Sequence, residues 1–368
     1  MTRLLLIGAG HAHVQLLRDW ARRPVPGVAL VLVTPGPQAP YSGMVPGWLA
    51  GRYRYDDICI DAAALATAAG ARLVIASLQA LDADRQTALL DTGETLAWDW
   101  LSLNNGSTLD PPAGLGPPVL ALRPLAALQP AWDALLARHA ADPNTQPLRL
   151  MAVGAGAAGF EVLLAARARL LALRPDRPVA ATLLSRGPDL LPGLAPGAVR
   201  AARRALQAIG ADLRLGTELT PALAAGQDLL LWGTGAQPHA WQRDAARRGT
   251  LAVDGQGFVR VDARLRSVSH PRVFAVGDCA AFDPPLPKAG VYAVRQGPVL
   301  TVQLRAALSD APLPPGYAPQ SRFLVLLATG NGRAIASRGR LWAEGRWVWR
   351  WKDRIDRGFI AGFKPDGR

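Results

Sequence analysis

Two cysteines, Cys59 and Cys279, are all that these 368 residues contain. They stand far apart in the chain, which argues against a disulfide framework, a zinc site of the Cys-x-x-Cys kind or a redox-active pair on one turn. Lysine is almost as scarce, with Lys288, Lys352 and Lys364 the only three in a set of 41 basic residues against 28 acidic ones. The resulting net charge of +13 is therefore arginine charge. No compact basic motif with interleaved aromatics precedes the C-terminus, so no nucleic-acid partner is expected. Coding bias is a sufficient cause of the arginine usage and most of it reads as solvated surface; attraction to anionic lipid or phosphate is the functional alternative. Low-complexity tracts are missing. So is a basic segment followed by an apolar one at the start, and the expectation is a cytoplasmic protein without a secretory leader. Residues 24–51 carry no charge, but their prolines and glycines would break a membrane-spanning helix.

What the chain does have is a repeat. "RLLLIGAGHAHVQLL" begins at Arg3 and "RLMAVGAGAAGFEVLL" at Arg149. Each is an apolar run ending in Gly-Ala-Gly, then small residues with helically spaced Leu and Val, which predicts strand, tight turn and helix. Such a turn gathers backbone N–H groups at a positive helix end, where a dinucleotide pyrophosphate binds. The second copy holds the full pattern in Gly154, Gly156 and Gly159. The first holds Gly8 and Gly10, with His13 where the third glycine would fall. Two copies a domain apart predict two nucleotide-binding units.

"VALVLVTP" reads as a second strand and "PYSGMVPGWLAGRY" as a loop-rich stretch. Residues 70–107 alternate apolar β-branched segments with turns, predicting a small antiparallel insert and a return strand, "LSLNNGS". A Pro/Gly hinge, "LDPPAGLGPP", then leads to the second unit. After about Arg248 the chain returns to the first. The expected fold is α/β, with two Rossmann-like domains of three-layer ββα type, the second inserted in the first, and a small α+β tail. The boundaries are 1–117 with 249–315, 118–248, and 316–368.

The two fingerprints, "LSLNNGS", "LLLWGTGAQP" and "VFAVGDCA" together resemble the flavoproteins of the pyridine-nucleotide disulfide oxidoreductase superfamily, on the branch of type II NADH dehydrogenases and sulfide:quinone oxidoreductases. More narrowly, "GAGHAHVQLL", "PYSGMVPG", "PKAGVYAVRQGP" and "WRWKDRIDRGF" resemble the flavoprotein found alone or fused ahead of selenide, water dikinase. The resemblance implies FAD in the first unit and NAD(P)H as substrate in the second. It places the FAD pyrophosphate on Gly8, Gly10 and the backbone from His11 to His13, and a ribityl hydroxyl on Asp278, which follows Gly277. Asp278 also reads as a helix cap.

His11 and His13, two apart in a turn with no cysteine or acidic cluster nearby, make a poor metal pair, and no metal is expected. Either contacts the cofactor or the "PYSGM" loop, or is a satisfied structural histidine. At the end of the second strand, where a carboxylate usually holds ribose, the chain has Thr34, leaving a hydroxyl or backbone group for that task. By the same resemblance adenine lies against Ser77 and Leu78, and Gly106 and Ala289 are cofactor contacts. Tyr41, Ser42 and Gly43 border the ring, and Lys288 stands near its pyrimidine edge. The alternative for Lys288 is an ordinary surface lysine.

In the second unit Gly235 is a further nucleotide contact. The strand "ATLLSRG" ends in Ser185 and Arg186, and an arginine here favours NADPH over NADH, unless it is only solvated. Glu161 matches a glutamate near the nicotinamide; alternatively it complements the helix N-terminus. With no cysteine pair, disulfide and sulfide chemistry are disfavoured. A quinone or another small diffusible oxidant remains as acceptor, the reading opposed to it being an accessory flavoprotein of selenium metabolism. A third reading is a degenerate scaffold that binds one nucleotide or none.

In the tail, Trp342, Trp347, Trp349 and Trp351 stand among arginines. Alternation at Trp347, Trp349 and Trp351 predicts a strand, and Ile355, Phe359 and Phe363 a following helix. Tryptophan with arginine suits weak contact with a membrane interface on the cytoplasmic side. The alternatives are closure of the flavin pocket and a homodimer contact.

Overall fold

The computed structural model describes residues 1–312 and 314–364. A five-stranded parallel sheet runs in the order Val273–Ala275, Trp100–Leu103, Thr2–Ile7, Val28–Thr34, Arg72–Ile75. Its central strand is apolar on both faces, as parallel sheets require. Leu4 and Leu6 pack with the helices His11–Arg22 and Gly290–Leu308, while Leu5 and Ile7 face an antiparallel meander of Leu78–Asp82, Thr87–Leu90 and Thr95–Ala97. Helix layer, parallel sheet and meander are the three layers.

A second parallel sheet has the order Val119–Ala121, Leu229–Trp232, Leu148–Val153, Val179–Leu184, Asp212–Arg214. The repeat in sequence is a repeat in hydrogen bonding. Arg3 N donates to Asp99 at 2.7 Å and Arg149 N to Asp228 at 2.7 Å. Gly8 N donates to Val33 O at 2.7 Å and Gly154 N to Leu184 O at 2.7 Å. Where the chain enters and leaves this second unit, Thr108–Leu109 and Ala236–Gln237 pair as a short antiparallel ribbon. The first sheet is completed only afterwards, by Val273–Ala275. Leu150, Ala152 and Phe160 share one apolar core with Leu4, Leu6 and Leu17, so the two units meet across a buried seam.

The tail forms a three-stranded antiparallel sheet, Val325–Ala328, Ala334–Arg338 and Leu341–Gly345, and the helix Arg346–Ala361. Two expectations are corrected. The alternating tryptophans are helical rather than extended, because the buried face of this helix is the row Val348, Lys352, Asp356 and Ile360, spaced by four with two charges inside it. That polar interior hid the helical period. Trp347 and Trp351, also four apart, stack on the outer face with centroids 6.3 Å apart. The stretch taken as loop contains a 3-10 turn, Ser42–Met44, and a short helix, Val45–Leu49, whose Pro46 lies in the first turn, where proline is tolerated. Among the described residues no helix is long and apolar enough to cross a membrane. Residues 313 and 365–368 of the expected segments lie outside the described ones.

Candidate functional site

A cavity of about 600 Å³ opens along the carboxyl ends of the first sheet. Its wall takes residues from the ends of successive strands: Gly8 and Gly10, Thr34, Leu78, Gly106, and Asp278. Ligand crevices in open α/β sheets lie at this edge. The first turn is close-fitted from behind. A Cβ at Gly10 would stand 2.4 Å from Asn104 Oδ1, and one at Gly8, whose φ is +89°, 2.5 Å from Asn104 O. Asn104 Oδ1 accepts from Ala12 N and His13 N at 3.0 and 3.2 Å, and its amide donates to Val276 O. The N–H groups of Gly10 and His11 make no hydrogen bond to any described residue, which leaves them for an anion.

His13 does not line the cavity. Its ring is fully buried, with Nδ1 2.6 Å from Gly8 O and Nε2 2.8 Å from Ser102 Oγ. A carbonyl only accepts, so Nδ1 carries the proton and Nε2 accepts from the serine. In the second unit the corresponding position admits no side chain, since a Cβ on Gly159 would lie 1.8 Å from Gly154 O. The two turns solve one packing problem differently, by contact and by hydrogen bond.

His11 does face the cavity. Its Nε2 is buried without a partner, and the Asn105 amide is likewise unpartnered. Burial holds His11 down to about 4, so the imidazole is neutral. Asp278 accepts from Arg123, which also reaches Ser107 and extends from the second unit into the same cavity. Gly277, φ +69°, donates its N–H to Gln296 at 2.6 Å and so aims Asp278. These groups fit FAD: two glycines keep the turn open, a carboxylate and a guanidinium flank it, and two buried polar side chains lack partners.

At the far end, Ser42 and Gly290 line the cavity, with Ala289 capping the helix that Gly290 begins. Tyr41 stands beside it, edge-on to His11 at 5.3 Å and packed on Phe359 of the tail helix at 4.6 Å. Gly43 does not line the cavity; its carbonyl accepts from Lys352 Nζ at 2.6 Å, and Lys352 pairs with Asp356 at 2.6 Å. Burial, opposed by Lys352, raises the Asp356 carboxyl above the usual range. Glu161 belongs to the same buried group. Its Oε1 accepts from Ala328 N at 2.6 Å, and burial, opposed by Lys352, pushes it up to about 7. Lys288 is turned elsewhere: its Nζ donates to Ala280 O at 2.6 Å and sits 3.6 Å from the Phe258 ring centroid, where both the carbonyl and the π-face satisfy the cation. It does not line the cavity, contrary to expectation.

The second turn has Gly154 at φ +113° and Gly156 capping the helix Ala157–Leu173. Ser185 follows strand Val179–Leu184 and its Oγ accepts from Gly187 N at 3.2 Å, while Arg186 is exposed beside it. Gly235, φ +73°, is exposed where the neighbouring strand Leu229–Trp232 ends. Residues that sequence reasoning did not assign are Asn104, Arg123, Lys352 and Asp356. "LNNGS" was the one available signal, for Asn104; the others come from segments distant in sequence.

Residues 2–297 match the family described as pyridine nucleotide-disulphide oxidoreductase. An alternative NAD(P)H-ubiquinone oxidoreductase C1, chloroplastic/mitochondrial, of Arabidopsis thaliana is 25% identical over 263 residues, 62% of this chain and 49% of that protein. The chain thus spans about half the length of this relative. Among solved structures, the sulfide:quinone oxidoreductase of Aquifex aeolicus superposes with a TM-score of 0.76 at 16% identity, over 100% of this chain and 93% of that one. NDH2 of Plasmodium falciparum gives 0.75 at 11% identity, over 98% and 97%.

Proposed function

The chain belongs to the pyridine nucleotide-disulphide oxidoreductase family, and on that premise we propose that it oxidises NAD(P)H, with NADPH preferred, and passes the electrons to a small quinone-like acceptor. FAD is the cofactor of this family and NAD(P)H its reductant. When bound, the flavin supplies the electron relay between the two substrates.

The observation that carries the reading is the pairing of two turn-and-helix units with a tail helix whose Phe359 packs on Tyr41 beside the first cavity. The free N–H groups of Gly10 and His11 would hold the diphosphate, Arg123 would add positive charge, and Asp278 would accept a hydrogen bond from a ribityl hydroxyl. Tyr41, packed on Phe359, would help to screen the ring end from water. Glu161, pushed up to about 7 by burial, and the Lys352–Asp356 pair would hold or release a proton as the acceptor is reduced. The family resemblance to a quinone-linked relative and quinone-linked folds supports the acceptor class. Ser185 and Arg186 would meet the 2′-phosphate of NADPH.

The tail supports weak attachment to the inner face of an anionic membrane. Leu341, Trp347, Trp351 and Ile355 are exposed alongside Arg346, Arg350 and Arg354.

Anaerobic titration of the yellow protein with NADH and with NADPH, then with a panel of quinones, tests the proposal. Bleaching by NADPH and reoxidation by quinone are expected. A flavin that reduced nucleotides leave yellow sinks the oxidoreductase reading, and bleaching that no quinone reverses sinks the acceptor and favours an accessory flavoprotein.

A further inference from the structure

In the first sheet the strand Trp100–Leu103 lies between Thr2–Ile7 and Val273–Ala275. The turn that starts at Gly8 and the turn that carries Asp278 therefore leave the sheet two strand spacings apart, about 9.6 Å. The middle strand bonds to both sides as it ends, Asn104 N donating to Ile7 O at 2.8 Å and Val276 N donating to Leu103 O at 3.0 Å. Asn104 stands just past that end, between the two turns.

Its side chain is buried and joins them. Oδ1 accepts from Ala12 N and His13 N at 3.0 and 3.2 Å on one side, while Nδ2 donates to Val276 O at 3.1 Å on the other. A glycine on each arm admits the amide: a Cβ on Gly277 would stand 2.9 Å from Nδ2, and one on Gly10 would run into Oδ1. Because Asn104 takes the N–H groups of Ala12 and His13, those of Gly10 and His11 are the ones left for an anion. Each arm also has a tie of its own. Gly8 N donates to Val33 O at 2.7 Å and His13 holds Gly8 O, while Gly277 N donates to Gln296 Oε1 at 2.6 Å. The Asn104 amide is the group that the two arms share.

A ligand that touches both arms gains from the second contact as an intramolecular one, and that gain collapses when the spacing of the arms no longer matches the ligand. We propose that Asn104 is a positioning residue that sets the distance between the diphosphate turn and Asp278, and so favours a flavin dinucleotide, which spans both, over a ligand that occupies one arm. The proposal rests on the FAD assignment above. A neutral amide suits the task, because one planar group supplies an acceptor to one turn and a donor to the other. Alanine would leave both turns unlinked and three hydrogen bonds unmade, and an ionised carboxylate would set a buried negative charge beside the diphosphate turn.

The test titrates the full-length chain, stripped of flavin, with FAD by flavin fluorescence and with ADP by calorimetry. ADP reaches the diphosphate turn but not Asp278. Asn104→Ala should weaken FAD by about tenfold or more, the usual worth of one or two hydrogen bonds, and change ADP by less than about threefold, since Val33 and His13 still hold the turn. Unchanged FAD affinity in the folded variant overturns the proposal. So does an equal loss for FAD and ADP, which is what a merely structural residue gives. Circular dichroism establishes folding; if Asn104→Ala does not fold, Asn104→Ser is read in the same way, and if neither folds the residue is structural and the proposal falls. A parent chain that takes up no FAD would refute the cofactor assignment instead.

Discussion

His13 holds Gly8 by a side-chain hydrogen bond, Nδ1 to carbonyl oxygen, at 2.6 Å. The same turn in the second unit needs no such tie, because the helix there approaches until only Gly159 fits. Helix and strand in the first unit stand far enough apart to admit an imidazole, and Ser102 on the adjacent strand completes its hydrogen bonding.

His13→Ala should therefore destabilise the protein by about 2–4 kcal/mol, from a buried cavity together with an unpaired Gly8 carbonyl and Ser102 hydroxyl. Urea unfolding at pH 7.5 measures it. A cost under about 0.5 kcal/mol would mean that the ring is dispensable. Since burial holds His13 down to about 4, against 6.5 when unfolded, its contribution is complete above pH 6.5 and is lost as pH falls toward 4.

Glu161 acts with the opposite sign. Burial raises its folded pKa to about 7, above the ordinary 4.5, so the folded chain keeps a proton that the unfolded chain releases, and stability falls as pH rises from 4.5 to 7. Glu161→Gln retains the oxygen that accepts from Ala328 and removes the titration. Its stability relative to the parent should rise by up to about 3 kcal/mol between pH 4.5 and pH 8. Unfolding midpoints at those two pH values report it, and a constant difference would show that the carboxyl titrates normally.

Arg186→Glu should lower the NADPH to NADH preference, measured as a ratio of kcat/KM, by about tenfold or more, the usual worth of a charge-assisted phosphate contact. A ratio that does not move would place the 2′-phosphate elsewhere.

Trp347→Ser with Trp351→Ser removes the stacked pair exposed on the tail helix without touching its buried row. Co-sedimentation with anionic liposomes at low salt should be lost in this variant and weakened by high salt in the parent. If the parent ignores liposomes but changes from dimer to monomer on substitution, the face joins two copies of the chain instead.

The two strand–turn–helix units were legible in the sequence because they are local: apolar runs, glycines at fixed spacing and the next helix lie within 20 residues of each other. Period and turn chemistry act over that range whatever the rest of the chain does. Thr34, Leu78 and Asp278 reached the cavity as expected for the same reason, each standing at or just beyond the carboxyl end of a sheet strand. Tertiary structure decided what depends on distant neighbours. Whether His13 meets a phosphate or a serine depends on Ser102, 89 residues on. Lys288 is held away from the cavity by the Ala280 carbonyl and the Phe258 face. The first turns of the tail helix read as a strand because its buried face carries Lys352 and Asp356, and these charges are interior only where the Gly43 carbonyl and each other supply partners. A polar group's place is set by the partners that compensate its desolvation, and those partners are assembled by the fold.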